Sequence, residues 1–151
     1  MDKKVFIDFG SGSKLKNCMR FYLKDYYVIA VNQYEKDLIE HAETFPSIEY
    51  CDELLFFDLS DLSNVCTYKA DAWNCTAVLE HVEEHKIENF LTNINNNTKD
   101  ISEGRIQIDL TDHEGGFKHY EYPSQYSFIK NTLKENDWND LIKKHFNIVK
   151  Q

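Results

Sequence analysis

Apolar positions along the chain alternate between two periods. Val5-Phe6-Ile7-Asp8-Phe9 and Tyr26-Tyr27-Val28-Ile29-Ala30-Val31 are nearly continuous runs of β-formers, as strands covered on both faces require. Between them Leu15, Cys18, Met19, Tyr22 and Leu23 recur at the spacing of one helix face over 14–24. Leu38, Ile39 and Ala42 predict a second helix over 35–43, ending before Pro46. Extended segments are expected at 48–50 and 54–57, then a polar turn over 58–63 and a strand at 72–76. Ile87, Phe90, Leu91 and Ile94 predict a helix over 84–95, stopped by Asn95-Asn96-Asn97. Residues 105–110 alternate as a strand after Gly104, and 111–123 read as a loop with Gly115-Gly116, His113 and His119. The remainder predicts helix over 125–145 and a last strand at 146–149. Strands alternating with helices predict an α/β fold: a three-layer Rossmann-like sheet, mostly parallel with an antiparallel strand near the C-terminus. The expectation is one domain over 1–151.

Composition narrows the function classes. Apolar residues are 42% and charged residues 28% of 151, which excludes global disorder. Seventeen Lys plus Arg against 26 Asp plus Glu leave a net charge of −9. An acidic surface repels phosphate backbones, so no nucleic-acid partner is expected. No apolar run approaches the ~20 residues that span a bilayer, so no membrane partner is expected either. Asp8 interrupts the apolar run behind Lys3 and Lys4, so no signal peptide is read and a cytoplasmic location is expected. Cys18, Cys51, Cys66 and Cys75 form no C-x-x-C pair. Reduced, partly buried thiols and no metal site are the expectation.

In an open α/β sheet, ligands bind beyond the C-terminal strand ends, where strand order reverses. The first predicted strand runs into Asp8-Phe9-Gly10-Ser11-Gly12-Ser13, whose glycines permit a tight turn and close approach of a ligand. Leu15 stands where a dinucleotide loop needs its third glycine, and no phosphate-loop lysine follows. An acid ending strand one, the D-x-G-x-G spacing and a second strand ending in Val31-Asn32-Gln33 resemble the class I S-adenosylmethionine-dependent methyltransferases. Residues 71–82, with Leu79-Glu80-His81-Val82, resemble that superfamily's fourth strand and its continuation. Residues 104–113, ending in Asp112-His113, are similar to the fifth strand and loop of its small-molecule members.

The resemblance implies S-adenosylmethionine as cofactor and a role for each matching residue. Asp8 would orient the loop, and Gly10, Ser11 and Gly12 would pass under the cofactor's methionine end. Asn32, followed by Gln33, stands where the family places a ribose-binding carboxylate. A carboxylate would accept from both ribose hydroxyls, so Asn32→Asp is expected to tighten binding. Asp58 and Leu59 would meet the adenine, with Asp52 the alternative in another register. Cys75, Thr76 and Ala77 would lie beside the methionine end. A histidine suits proton removal from an oxygen acceptor near neutral pH; His113 is the first candidate, with His81 the second and Asp112 or Glu80 as partners. Each prolyl residue, Pro46 and Pro123, precedes a serine, which removes the proline motifs of base-directed methyltransferases. A small-molecule acceptor is then expected, a sugar or glycan building block by default. A catalytically degenerate binding or scaffold protein is the competing reading, and another nucleotide-binding enzyme the third. Oligomeric state is not legible.

Overall fold

The computed structural model describes residues 2–12, 15–35, 49–110, 131 and 133–149. Strands β1 (Val5–Phe9), β2 (Tyr27–Asn32), β3 (Glu53–Phe56), β4 (Ala70–Thr76) and β5 (Thr98–Gln107) form one sheet. Their order is β3-β2-β1-β4-β5, and every described pair is parallel. Helix α1 (Lys16–Tyr22) connects β1 to β2, α2 (Ile87–Asn96) connects β4 to β5, and α3 (Glu135–His145) follows.

The two central strands are buried on both faces, which is why their sequences are unbroken apolar runs. Odd-numbered residues Val5, Ile7, Phe9, Ile29 and Val31 face the layer containing Ile87, Phe90, Leu91, Ile94 and Trp138 of α2 and α3. Even-numbered Phe6, Val28 and Ala30 face Leu15 and Cys18 at α1. Full burial of one aliphatic side chain of this size stabilises the fold by about 2 kcal/mol. The sheet therefore lies between helices on either face, because order reverses at β1 and right-handed crossovers leave on opposite sides. Gly104 sits directly against the Trp73 ring, leaving no room for a Cβ.

Several expectations need correction. The buried side of α1 is Cys18 with Phe21, whose ring stacks on Phe6 at 3.7 Å, whereas Met19, Tyr22 and Leu23 are exposed. Leu15 precedes the helix in a left-handed conformation, which rotates the helix phase away from the one its spacing suggests. Glu49 and Tyr50 lie in a turn of 3-10 helix rather than a strand. The last strand begins earlier than expected and ends at Gln107. Its pairing jumps from Ala70↔Thr98 to Ala72↔Glu103, so residues 99–102 bulge out, with Ile101 exposed among them. Phe146 leaves α3 in extended conformation and packs on Trp73 at 5.0 Å, but 146–149 join no strand. No antiparallel strand occurs among the described residues. The helix expected over 35–43, beyond Glu35, and the loop at 111–123 lie outside them. Among the described residues no helix is long and apolar enough to cross a membrane.

Candidate functional site

The glycine turn closes over the end of β2. Gly10 N–H and Ser11 N–H both donate to the Val31 carbonyl, at 2.9 and 3.1 Å. Gly10 (φ +78°) and Gly12 (φ +65°) occupy the left-handed region, which glycine enters without the Cβ penalty. Val78, from the segment after β4, fills the place a Gly10 Cβ would need; a Cβ at Gly12 would meet nothing within 4 Å among the described residues. Among the described residues, the turn is thus packed at Gly10 and open at Gly12. Two non-glycine residues at this edge, Leu15 (φ +46°) and Ala77 (φ +54°), are also left-handed, the backbone strain that clusters at functional sites. Ser13 lies outside the described residues.

Asp8 is buried at the end of β1. Its carboxylate accepts from Asn74 Nδ2 at 2.8 Å, with the Cys18 thiol 3.8 Å away. Burial raises its pKa to about 6, against the pull of hydrogen bonds from Asn74, Asn17 and Cys18. Thr76 Oγ1 donates to Asn74 Oδ1 at 2.9 Å, continuing the polar chain to the end of β4. Cys18 and Cys75 are buried thiols shifted upward chiefly by burial, with Asp8 adding to both. They are protonated at neutral pH and are no nucleophiles.

Asn32 serves the loop. Its Oδ1 accepts from Gly12 N–H at 2.9 Å, and its Nδ2 donates to Ser11 Oγ at 2.7 Å. Gln33, one residue on, is exposed. Asp58 follows β3 at the same sheet edge and closes its own turn, accepting from Ser60 N–H and Ser60 Oγ at 2.8 and 2.7 Å. Leu59 is buried in the core. Asp52 lies at the opposite edge, where its carboxylate accepts from Val28 N–H at 2.8 Å, so Asp58 is the acid on the loop's side. Thr76 ends β4, and Ala77, Glu80 and half-buried His81 follow it at this edge. Glu80 is buried and accepts from Asp109 N–H at 3.2 Å. His113 and Asp112 lie outside the described residues.

Four buried asparagines were not anticipated: Asn74 and Asn131 at this edge, Asn93 within α2, and Asn97 between α2 and the start of β5. Asn74 holds Asp8. Asn93 Nδ2 donates to the Leu59 and Asp61 carbonyls, both at 3.0 Å, and Asn97 Nδ2 donates to Asn93 Oδ1 at 2.7 Å. Asn97 Oδ1 in turn accepts from Cys66 N–H at 2.6 Å. Asn131 Nδ2 reaches the Leu79 and Val82 carbonyls at 2.9 Å each. Asn93 carried a signal in the sequence, since it stands on the apolar face of α2 between Phe90 and Ile94. Asn131 carried none.

No protein-family description and no curated protein matches the sequence. Solved structures do match its fold. A S-adenosylmethionine-dependent methyltransferase from Clostridium acetobutylicum superposes with a TM-score of 0.54 at 20% identity, over 66% of this chain and 40% of its own. A TehB-like SAM-dependent methyltransferase from Corynebacterium glutamicum gives 0.54 at 16% identity, over 68% of this chain and 53% of its own. PKMT2 from Rickettsia typhi, solved with AdoHcy, gives 0.56 at 14% identity, over 69% of this chain and 20% of its own. The chain spans about half or less of the length of each. The topology defines a doubly wound α/β sheet with its switch point between β1 and β4. Its fold is that of the class I S-adenosylmethionine-dependent methyltransferases.

Proposed function

We propose that this chain binds S-adenosylmethionine at the C-terminal edge of the sheet and serves methyl transfer to a small-molecule acceptor. The observation that carries this reading is the turn after β1, left-handed at Gly10 and Gly12, open above Gly12 and adjoining the buried Asp8. The residues present fit the methionine end of the cofactor. When bound, the cofactor supplies an electrophilic methyl group on a positively charged sulfur. The glycine backbone lets it lie close, and ionised Asp8, hydrogen-bonded by Asn74 and close to the Cys18 thiol, favours positive charge. Asp58 marks the adenine side. Rate acceleration in such a transfer comes mainly from holding the acceptor in line. His81, in the turn after β4, is the proposed proton acceptor among the described residues; His113 with Asp112 is the pair that the sequence proposes first for the same task. A sugar or glycan building block remains the proposed acceptor class.

Calorimetric titration with S-adenosylmethionine and S-adenosylhomocysteine tests the reading. Binding is expected for the native chain. Gly12→Val is expected to abolish it with the fold retained, since the side chain enters open space and the strain is about 1–2 kcal/mol. Unchanged affinity in Gly12→Val would remove the loop from the site. One observation favours a second reading, a binding protein without turnover: both polar atoms of Asn32 are engaged by the loop, which leaves the ribose without the carboxylate the fold usually offers. Methyl release over a panel of small acceptors separates the two.

A further inference from the structure

Asn131 is separated by 49 residues from Val82 and 52 from Leu79, yet its side-chain amide is buried against the turn that they bound. Nδ2 donates to the Leu79 and Val82 carbonyls at 2.9 Å each, with the Glu80 carbonyl at 3.4 Å. The Leu79 carbonyl also accepts from Val82 N–H at 3.1 Å, and the Val78 carbonyl from His81 N–H at 2.9 Å. A 3-10 turn of three residues, Leu79–His81, is therefore closed both by its own backbone and by one external amide. Val78, immediately before that turn, occupies the space against Gly10. Ala77, one residue earlier, is left-handed and donates its N–H to the Gln107 carbonyl at 2.8 Å. A continuous path of contacts thus leads from Asn131 through the turn to the glycine loop.

We propose that Asn131 is a positioning residue: its amide fixes the turn carrying Glu80 and His81 and, through Val78, holds the glycine loop in its ligand-ready shape. The inference rests on the cofactor reading above. Only a neutral amide suits the task, because it brings two N–H donors to carbonyls that offer none. A carboxylate of the same shape brings no donor when ionised and one when protonated.

The test is Asn131→Asp, read as the S-adenosylhomocysteine dissociation constant of variant over wild type from about pH 8 to about pH 5.5. The ratio cancels the titration of Asp8, which both proteins share. At the alkaline end the variant is expected to bind about fivefold more weakly or worse. The ratio should fall toward one as the introduced carboxyl protonates and regains a donor. A ratio near one throughout, or a deficit indifferent to pH, overturns the proposal. Should wild type bind neither cofactor form, the function proposal fails and the positioning claim is read instead from the amide resonances of Gly10 and Ala77. Shifts in the variant that reverse on acidification support it, and unmoved resonances overturn it. If Asn131→Asp does not fold, Val78→Ala breaks the same path while leaving the clamp in place. Weakened binding, or displaced Gly10 resonances, then supports the proposal, and wild-type behaviour overturns it.

Discussion

The two edges of the sheet are finished with opposite chemistry. At the N-terminal edge, carboxylates accept from strand N–H groups: Asp71 from Val5 at 2.9 Å and Asp52 from Val28 at 2.8 Å. At the C-terminal edge, amides donate to loop carbonyls: Asn93 to Leu59 and Asp61, Asn131 to Leu79 and Val82. The difference follows from direction. In a parallel sheet the first residues of each strand present unpaired donors, while chains turning back beyond the last residues present unpaired carbonyls. Carboxylates suit the first edge and can remain partly in water. Buried carbonyls need donors, and an amide provides two without bringing a charge into the interior. The side where a ligand is proposed to bind thus carries neutral, buried amide latches beside the carboxylates of Asp8, Asp58 and Glu80. Rigid loops at such an edge preserve the geometry of a site.

The sharpest way to break this contrast is to remove one latch from each edge. Asn93→Ala is expected to cost about 4 kcal/mol, because two carbonyls and the Asn97 amide lose partners in a dry interior. Asp71→Ala should cost only about 1 kcal/mol, since water can replace it at Val5 N–H and its ion pair with Lys99 is partly exposed. Urea melts of both variants measure the difference. Equal costs would mean that the two edges are held alike and that burial of the amides is not what distinguishes them.

Asp8 is one of three carboxylates on the side of the amides, with Asp58 and Glu80, and it sharpens the comparison through pH. Burial lifts its carboxyl from 3.8 to about 6 in the folded chain. The folded state therefore binds a proton more tightly than the unfolded state, and stability falls as pH rises from about 4 through about 6. Asp8→Asn removes that penalty and should stabilise the fold by about 2 kcal/mol at neutral pH, with the gain vanishing near pH 4. The same variant should lose affinity for the cationic cofactor. Stabilisation together with lost binding is the signature of a residue retained for function. A neutral-pH loss of stability would place Asp8 among the structural latches.

The sequence made some of these features legible and hid others for physical reasons. β1 and β2 were visible because central parallel strands must be apolar on both faces, and Gly10-Ser11-Gly12 because only glycine enters left-handed turns freely. β5 was misplaced because its bulge exposes Lys99, Asp100 and Ile101 and breaks the alternation. Residues 146–149 resemble a strand in composition, but Phe146 is apolar because it packs on Trp73. The asparagine latches were hidden because their partners are backbone carbonyls up to 52 residues away, and a backbone carbonyl has no letter in the sequence. Asp58 was already the first choice in the sequence, and Asp52, its alternative in another register, stands at the opposite end of β3.

Asn32 is where the sequence and the structure lead to different magnitudes. From the sequence, Asn32→Asp should tighten S-adenosylmethionine binding, because a carboxylate at the end of β2 can accept from both ribose hydroxyls. In the structure the side chain is already held: Gly12 N–H donates to Oδ1 at 2.9 Å and Nδ2 donates to Ser11 Oγ at 2.7 Å. A carboxylate would keep the first bond, strengthened by its charge. It would keep the second if the Ser11 hydroxyl rotated to donate. The contact with the Gly12 carbonyl, at 3.5 Å, would change from weakly attractive to repulsive. Gain and loss nearly cancel, so stability should move by less than about 0.5 kcal/mol. Because the carboxylate stays engaged by the loop, affinity should also stay within about twofold of wild type, a change of about 0.4 kcal/mol. Calorimetry on both proteins at one salt concentration measures this. A fivefold tightening would show that the side chain swings from the loop to the ribose, and that the Asn32 latch is weaker than the amides at Leu59 and Leu79.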